Sequence, residues 1–495
     1  MAKILLISPS TWGRGITPIW VVSHAACLKG RGHQVELFDC TFYEQWSVNE
    51  IKFNTENKQY RPSEYESFIT MKTEDIFEAA QKKVAEFKPD IIFWSAISSH
   101  IHGEGEYSNI QNGFDLISKL DITALKVTSG LQPTASPELM FEKFAGVDYF
   151  IRGESEFVLS DVADYLDEDK NIKSIKGVVY KENGKVKCNP RQDIISNLDD
   201  IPFYDYSIFE DQLFFRPFNG KVVRAVDYEL SRGCPYTCTY CVETVIQKYY
   251  GFSEISKNGV LSKAKQYLRN KSGQRIFDEI KTIHEKLGVT YFRCQDTNFL
   301  TIKRSVLNEL ADLIDSSGLD IFLYIETRPE SISTSIIPLL KKLRVRGVGM
   351  GVEMASEGFR KSKLNRFPSQ EKILKAFKIL KEAGILRTAY NMIGLADETE
   401  EMILDTIRFN QELELDNITV AYYSPYLGTI EQEKSAEQKS FQDYEYNVDG
   451  QLRTMTKSTD ISKELLKFYK KHFTSLVREG LQNLEKLKTA EGLKS

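Results

Sequence analysis

The sequence lacks the features of a membrane protein, a nucleic-acid binder or a secreted protein. None of its apolar runs reaches the eighteen or so residues that a membrane-spanning helix needs. Its formal net charge of −5 leaves no basic excess for binding a phosphate backbone. The first residues, Met-Ala-Lys-Ile-Leu-Leu-Ile-Ser, have neither the length nor the cleavage site of a signal peptide. We therefore expect a cytoplasmic protein that binds neither a membrane nor a nucleic acid.

Cysteine is scarce, and its distribution argues against disulfides and zinc. The chain has seven cysteines in 495 residues, and three of them lie within eight residues: Cys234, Cys238 and Cys241. An odd number, clustered in this way, fits a reducing compartment better than a disulfide framework. A structural zinc site usually takes four ligands in two separated pairs. The other cysteines form no second Cys-x2-Cys pair; they are Cys27, Cys40, Cys188 and Cys294.

A fingerprint for a nicotinamide cofactor is missing too. The turn Gly13-Arg-Gly15 follows an apolar run, but it is not a Gly-x-Gly-x-x-Gly loop, and no acidic residue completes a dinucleotide site. The chain is long, at 495 residues, and has the composition of an ordinary globular protein, with 41% hydrophobic and 27% charged residues. Such a chain exceeds the size of one ordinary core and predicts two or three domains.

The strongest motif is the Cys-x3-Cys-x2-Cys spacing of Cys234, Cys238 and Cys241, with Tyr240 before the last cysteine. Three thiolates can hold an iron-sulfur cube and leave its fourth iron open. Three unrelated thiols on a turn are the alternative, which the tight Gly233 to Pro235 loop disfavours. The motif resembles the signature of the radical S-adenosylmethionine (SAM) superfamily. The resemblance implies a [4Fe-4S] cluster on these cysteines, whose open iron chelates the amino and carboxylate groups of SAM.

Alternating strands and helices predict an α/β protein with two parallel sheets. Residues 1–188 read as a doubly wound, Rossmann-like domain, and residues 189–220 as a linker across both domains. Residues 221–430 contain six strand and helix units, which predict a partial (βα)6, TIM-like barrel with its chemistry at the carboxyl ends of the strands. Residues 431–495 form a helical extension, in which we expect a loop over 431–449 and a helix over 461–487 that covers the barrel mouth or the domain seam.

Two runs in the first domain resemble the cobalamin-binding domain that precedes many radical SAM domains. They are Ser129-Gly-Leu-Gln-Pro-Thr134, similar to a Gly-Gly-x-His-Pro-Thr loop, and Val147-Asp-Tyr-Phe-Ile-Arg-Gly-Glu-Ser-Glu156. Ser129 replaces a glycine and Gln132 a histidine. The resemblance implies cobalamin contacts at Ser129, Gly130, Gln132, Pro133, Thr134, Gly153 and Glu154. Gly-Pro turns and acidic helix starts also occur in doubly wound domains that bind nothing there.

An axial histidine for the cobalt is not predicted. Cobalamin domains that supply one use an Asp-x-His-x-x-Gly string, and the only similar string here is Ser98-Ser-His100-Ile-His-Gly103. It lacks the aspartate that would orient the imidazole, so we interpret His100 as a solvated loop histidine. Cobalamin is expected to bind without its own base and without a protein nitrogen on the cobalt.

Polar residues at the ends of the predicted barrel strands are the candidates for holding SAM. Position and resemblance together assign Asp296 to the methionine ammonium of SAM. Glu326 and Arg328 lie at the third strand end, where the Arg is expected to bind the SAM carboxylate. Glu353 is expected to contact polar groups of SAM. Tyr240 belongs to the same cofactor-binding set. Any one of them alone would more often be a surface ion pair. The barrel interior is predicted to carry Tyr324, Tyr390, Asn391, Tyr422 and Tyr423, in substrate contact or in packing.

Two later turns extend the resemblance to about residue 430: Gly394-Leu-Ala-Asp-Glu-Thr399 and Ser424-Pro-Tyr-Leu-Gly-Thr429. It implies a cobalamin-dependent radical SAM methyltransferase that acts on an unactivated carbon or phosphorus of a small metabolite. A 5′-deoxyadenosyl radical would take a substrate hydrogen, cobalamin would supply the methyl group, and an external donor of flavodoxin or ferredoxin type would supply electrons. The alternatives are a radical cyclase or isomerase without methyl transfer, and a non-enzymatic cobalamin or iron-sulfur sensor. A methylthiotransferase would need three more clustered cysteines in its first domain.

Overall fold

The computed structural model describes residues 1–96, 103–423, 426–437, 445–446, 452–453 and 461–493. The interpretation of His100 and the first two residues of the Ser424 to Thr429 turn lie outside the described residues. No helix in the described part of the chain has the length and apolar character required to cross a membrane.

The first sheet has seven strands in the order β2-β1-β3-β4-β5-β6-β7. They are β1 (Lys3–Ser8), β2 (Gln34–Asp39), β3 (Ile91–Trp94), β4 (Leu125–Ser129), β5 (Tyr149–Ile151), β6 (Val178–Glu182) and β7 (Lys185–Cys188). Strands β1 to β5 are parallel, whereas β6 and β7 form an antiparallel hairpin at the edge. The central strands are buried on both faces, which explains their near-continuous apolar sequence.

Helices cover both faces of this sheet, so the predicted doubly wound arrangement is confirmed. They are α1 (Ile19–Gly30), α2 (Glu50–Glu56), α3 (Ile76–Phe87), α4 (Gly103–Ile117), α5 (Leu131–Ala135), α6 (Pro137–Lys143) and α7 (Glu156–Asp167). One face packs on α1 and α7, and the other on α3, α4 and α6. The first helix is buried from Ile19 to Leu28, because it lies between the sheet and the linker.

The second sheet is an open half-barrel in the order β16-β15-β14-β13-β12-β9-β8. Its strands are β8 (Phe215–Phe218), β9 (Lys221–Tyr228), β12 (Tyr291–Cys294), β13 (Phe322–Thr327), β14 (Val345–Glu353), β15 (Leu386–Ile393) and β16 (Asn417–Tyr422), while β10 (Ser231–Arg232) and β11 (Arg269–Asn270) pair separately. The six strands from β9 to β16 are parallel, which confirms the predicted partial (βα)6 barrel.

The barrel helices pack outside this sheet. They are α8 (Glu243–Tyr250), α9 (Ala264–Tyr267), α10 (Gly273–Leu287), α11 (Arg304–Ser317), α12 (Ile337–Lys342), α13 (Glu357–Ser362), α14 (Gln370–Glu382) and α15 (Glu400–Glu412). In the predicted linker, residues 215–218 form β8, which pairs antiparallel with β9. The linker crosses between the domains, since Asp205 accepts from Lys29 at 2.6 Å and Tyr206 donates to the Asp227 carbonyl.

The carboxyl-terminal segment departs from two predictions. Residues 430–437 form helix α16 (Ile430–Glu437) rather than a loop, since the Ser/Thr-type cap at Thr429 starts a helix. Residues 445–446 and 452–453 pair as the short strands β17 (Glu445–Tyr446) and β18 (Leu452–Arg453). The last helices are α17 (Lys463–Glu479) and α18 (Leu484–Ala490). The apolar face of α17 packs on β16 and α15 rather than over the barrel mouth.

Candidate cofactor site

The three clustered cysteines lie on a loop at the carboxyl end of β9. Cys234 and Cys238 are 7% and 6% exposed, and Cys241 is partly exposed. Helix α8 follows directly in the chain, and two of its side chains form hydrogen bonds with the loop. Glu243 accepts from the Cys234 N–H at 2.9 Å, and the Gln247 amide donates to the Cys234 carbonyl at 2.9 Å. These contacts hold the backbone of Cys234 in place.

The three thiols are buried or partly buried and close in sequence. Burial raises the pKa of Cys234 and of Cys241, and for Cys241 the other two thiols add to the rise. Within the described ranges, no three Cys, His, Asp or Glu side chains form a group that could hold one metal ion. In a [4Fe-4S] cube each thiolate binds a different iron, so convergence on one point is not required. The donor set therefore fits a cube held by three thiolates.

Arg328 joins this loop directly. Its Nη1 donates to Cys238 Sγ at 3.2 Å, its Nε is 2.6 Å from Glu330 Oε1, and its guanidinium stacks 3.7 Å from the Tyr236 ring centroid. A charged donor of this kind stabilises a thiolate. The structure thus places Arg328 beside Cys238, and the predicted contact with the SAM carboxylate stays a prediction.

Asp296, at the end of β12, is fully buried beside the start of the cysteine loop. Its Oδ1 accepts from the Leu230 and Ser231 N–H groups at 3.1 and 2.6 Å and from Ser231 Oγ at 2.5 Å. Its Oδ2 is buried and has no hydrogen-bond partner among the described residues. Burial raises the pKa of Asp296 to about 7. The second oxygen is therefore a ready acceptor for a cation such as the ammonium of SAM.

Glu326 and Glu353 lie at neighbouring strand ends in two separate hydrogen-bonded groups. Glu326 Oε1 accepts from Arg293 Nη2 at 3.1 Å and from the Tyr390 hydroxyl at 3.0 Å. Glu353 Oε1 accepts from the Tyr240 hydroxyl at 3.0 Å, so Tyr240 ties the cysteine loop to β14. The barrel end thus brings all four predicted acidic and basic positions to one rim.

Only part of the predicted interior set points inward. Tyr324 and Tyr390 share a hydrogen bond of 2.9 Å next to Glu326. Asn391 instead exchanges hydrogen bonds with Asn410 of helix α15, and Tyr422 packs with the carboxyl-terminal helix. Tyr423 lies in a separate buried cluster with Met354. Successive residues of a strand face opposite sides, and the sequence pattern did not fix which parity faces the interior.

The Ser129 to Thr134 run forms the second part of the site. Ser129 ends β4, and a narrow recess here is lined by Ser95, Ile110, Ser129, Gly130, Leu131, Gln132 and Pro133. The hydroxyls of Ser95 and Ser129 are buried and have no hydrogen-bond partner among the described residues. Buried hydroxyls without partners are costly unless a ligand or water satisfies them. Their position at the carboxyl ends of β3 and β4 is where doubly wound domains bind ligands.

Two of the predicted cobalamin residues connect the two motif runs. Thr134 Oγ1 donates to the Gly130 carbonyl at 2.6 Å and accepts from the Gly153 N–H at 2.8 Å. Gly153 has a φ of 73°, and a Cβ there would meet the Tyr250 hydroxyl at 2.5 Å. The runs therefore form one folded unit, in which Thr134 and Gly153 shape the Ser129 to Thr134 turn.

Glu154 lies at the seam between the domains. Its carboxylate accepts twice from Arg269 Nη1, at 2.7 and 2.9 Å, and lies 3.4 Å from Arg232 Nη1. Arg232 also reaches Glu156 at 2.5 Å and Glu229 at 2.7 Å. We call Glu154, Glu156, Glu229, Arg232 and Arg269 the seam network. The sequence did not predict a role for its two arginines, although Arg232 lies only two residues before Cys234.

The recess and the cysteine loop face each other across this seam. Leu131 of helix α5 packs against Val242, Val245 and Ile246, which immediately follow the last cysteine. Gly428 approaches the same helix so closely that a Cβ there would lie 2.7 Å from Ala135 Cβ. A ligand in the recess would therefore lie close to one bound at the cysteines.

Comparisons with known proteins match both the motif and the fold. Residues 228–409 match the model of the radical SAM superfamily. An uncharacterized methyltransferase of Pyrococcus horikoshii is 26% identical over 71% of each chain. An anaerobic magnesium-protoporphyrin IX monomethyl ester cyclase of Rubrivivax gelatinosus is 24% identical over 72% of this chain and 61% of its own length.

A solved structure shares the two-domain fold. It is the radical SAM methyltransferase TsrM of Kitasatospora setae with cobalamin and a [4Fe-4S] cluster bound, with a TM-score of 0.61 at 15% identity over 90% of this chain and 81% of that one. At this identity the likeness shows the fold alone. The superfamily match, which spans the cysteine loop and the acidic strand ends, comes independently from the sequence. Residues 228–409 therefore match the radical SAM superfamily in sequence, and the two-domain fold of the chain is similar to that of this cobalamin-bound methyltransferase.

Proposed function

We propose that the protein is a cobalamin-dependent radical SAM methyltransferase that methylates an unactivated carbon or phosphorus of a small metabolite. The observation that carries the proposal is the packing of α5, which borders the recess at Ser129, against α8, which follows the cysteines. Methyl transfer of this type needs SAM within reach of both cofactors. Two sites facing each other across one seam meet that requirement.

Cys234, Cys238 and Cys241 are the proposed cluster ligands, with Arg328 supporting the thiolate of Cys238. Asp296 would take the ammonium of SAM through its buried Oδ2, which has no hydrogen-bond partner in the part of the chain that the structure describes. Glu353 and Tyr240 would fix the rim that receives the rest of SAM. Each of these groups is held by protein contacts before any ligand arrives, which lowers the entropic cost of binding.

Cobalamin would lie over the mouth of this recess, whose empty volume of about 150 Å³ is too small to enclose it, with contacts at Ser129, Gly130, Gln132 and Pro133 and with Thr134 and Gly153 shaping the turn. The Ser95 and Ser129 hydroxyls have no hydrogen-bond partner among the described residues, and they offer hydrogen bonds to polar groups of this ligand. Glu154, in contrast, is engaged by two arginines, so we assign it to domain docking. When bound, the cluster supplies the electron that cleaves SAM and cobalamin relays the methyl group; the protein orients both and excludes water.

Cobalamin binding is tested by titrating the purified protein with hydroxocobalamin. We expect binding with the nucleotide base displaced, and a cobalt(II) electron paramagnetic resonance spectrum without nitrogen superhyperfine splitting. Ala at both Ser95 and Ser129 should weaken binding, since neither residue could then donate a hydrogen bond, whereas Ser317→Ala, on a remote helix, should leave it unchanged. Tight binding with a nitrogen signal that disappears in His100→Ala would refute the proposed coordination.

A radical cyclase that does not transfer methyl is the second candidate, because a 24% identical relative is named as a cyclase. Methyl transfer from SAM to reduced cobalamin needs no substrate. One equivalent of S-adenosylhomocysteine per bound cobalamin, formed anaerobically, would support the methyltransferase. Protein loaded with both cofactors that forms none would favour the cyclase.

A further inference from the structure

Residues 254–265 form a short exposed segment that lies directly on the cysteine loop; we call it the 254–265 segment. The Thr237 N–H donates to the Gly259 carbonyl at 2.8 Å, and the Leu261 N–H donates to the Pro235 carbonyl at 2.8 Å. Both partners lie between Cys234 and Cys238. The segment is therefore an outer surface of the protein that contacts the backbone between two of the three thiols.

The segment is rigidly attached. Its two arms pair with each other, since the Ser256 N–H donates to the Val260 carbonyl at 2.7 Å and the Ser262 N–H to the Glu254 carbonyl at 2.8 Å. Asn258 and Gly259 make the turn with φ values of 57° and 67°. A Cβ on Gly259 would lie 2.7 Å from Asn365 Nδ2. The surface is thus fixed relative to the cysteines.

The exposed face of the segment is basic with one apolar side chain. Lys257, Lys263 and Lys265 are exposed, and none of them forms an ion pair with a described residue, whereas Glu254 is the only acidic residue of the segment. Ile255 is 51% exposed, and few large apolar side chains of the described chain are as accessible. A local charge of +2 from these four groups contrasts with the −5 of the whole chain.

We propose that the 254–265 segment is the docking surface for an acidic one-electron carrier protein of flavodoxin or ferredoxin type. The proposal rests on the proposed function, in which the cluster must gain one electron before SAM is cleaved. The carrier loses that electron and the cluster gains it, and no bond or proton changes in the step. The free lysines attract a negatively charged partner, and Ile255 gives the contact an apolar centre.

Charge reversal tests the surface. The variant carries Lys257→Glu, Lys263→Glu and Lys265→Glu, and the control carries the same change at Lys372, Lys375 and Lys378, three exposed lysines of α14. The holoprotein with its reconstituted cluster is reduced either by a flavodoxin of net negative charge or by reduced methyl viologen. Cluster reduction is followed by the loss of visible absorbance, at low and at high salt.

We expect the flavodoxin-dependent rate at low salt to fall at least tenfold in the segment variant and much less in the control. Reduction by methyl viologen should be unchanged or faster, because this reductant is a cation. An equal fall in both variants, or no fall in either, would overturn the docking surface. Protein that binds no cluster in any form would instead contradict the proposed function, so the two failures are distinguishable.

Discussion

Arg232 links the first domain to the start of the cysteine loop. Its guanidinium bonds Glu156 from the first domain and Glu229 from β9's end, and the chain reaches Cys234 two residues later. Because these groups are buried, the cost of burying each charge is offset only by its oppositely charged partners. The position of the thiols is thus coupled to the docking of the two domains.

The cluster assignment predicts the outcome of removing the thiols. Protein with Ala at Cys234, Cys238 and Cys241 should bind no iron after anaerobic reconstitution, since no other described cysteine lies in a comparable group. Iron analysis and visible absorbance measure the loss. Cys188→Ala is the control, because Cys188 is exposed on β7, and this variant should load fully. A triple variant that still held four irons would contradict the assignment.

Asp296 predicts a pH dependence of SAM binding. Burial raises its pKa to about 7, so at lower pH the carboxyl must lose a proton before it can pair with an ammonium. The affinity of the reconstituted protein for SAM should therefore rise with pH up to about 7, by at most about tenfold per unit, and then level off. Binding is measured by the spectral change of the cluster.

Asp296→Asn should abolish this rise, since an amide does not titrate in this range, and should weaken binding at pH 8. The hydrogen bonds to Leu230 and Ser231 can be kept by the amide oxygen, which makes the variant a conservative one. A variant with the same pH profile as the wild type would show that another group titrates.

The seam network predicts a large loss of stability in Glu154→Gln. Arg269 would remain buried with its main charge partner neutralised, which costs about 3 kcal/mol or more. Asp161→Asn removes an exposed partner of Arg31 and should cost less than about 1 kcal/mol. Thermal unfolding of both variants measures the difference. Equal melting temperatures would show that the seam contributes little to the stability of the protein.

Most helices and strands are predictable from the sequence. The elements that are not predictable are those whose position is determined by packing against distant residues. The sequence pattern predicts a strand over 386–393 and a helix over 273–287, and strand β15 (Leu386–Ile393) and helix α10 (Gly273–Leu287) have these bounds. Apolar periodicity and glycine caps are local signals, which explains the agreement. Strand β8 was missed because its register is set by β9. The partners of Glu154 could not be predicted, since Arg269 lies 115 residues away.

The carboxyl-terminal helix gives an element-level prediction. Phe473 of α17 is fully buried in the cluster that covers β16 and α15, and Lys470 donates to the Val420 carbonyl at 2.6 Å. Phe473→Ala should destabilise the protein by about 3 to 5 kcal/mol. Lys467→Ala, on the exposed side of the same helix, should change stability little. A small effect of Phe473→Ala in denaturant unfolding would mean that the helix is not part of the barrel core.

In the whole molecule, the two candidate sites share one seam. The carboxyl ends of the parallel strands in both sheets carry the candidate residues, and α5 and α8 pack between them. The sequence predicted both halves of this site from motifs. It could not predict the contacts between them, because these depend on how two separately folded sheets meet.

The most direct test of this account is the ratio of by-products during turnover. Reconstituted protein with cobalamin and a reductant is incubated anaerobically with methyl-labelled SAM and a low-molecular-weight cell extract as the source of substrate. A methyltransferase that uses SAM once for methyl and once for the radical should form S-adenosylhomocysteine and 5′-deoxyadenosine in comparable amounts, with label in a new product. Substrate-dependent 5′-deoxyadenosine without S-adenosylhomocysteine would contradict methyl transfer.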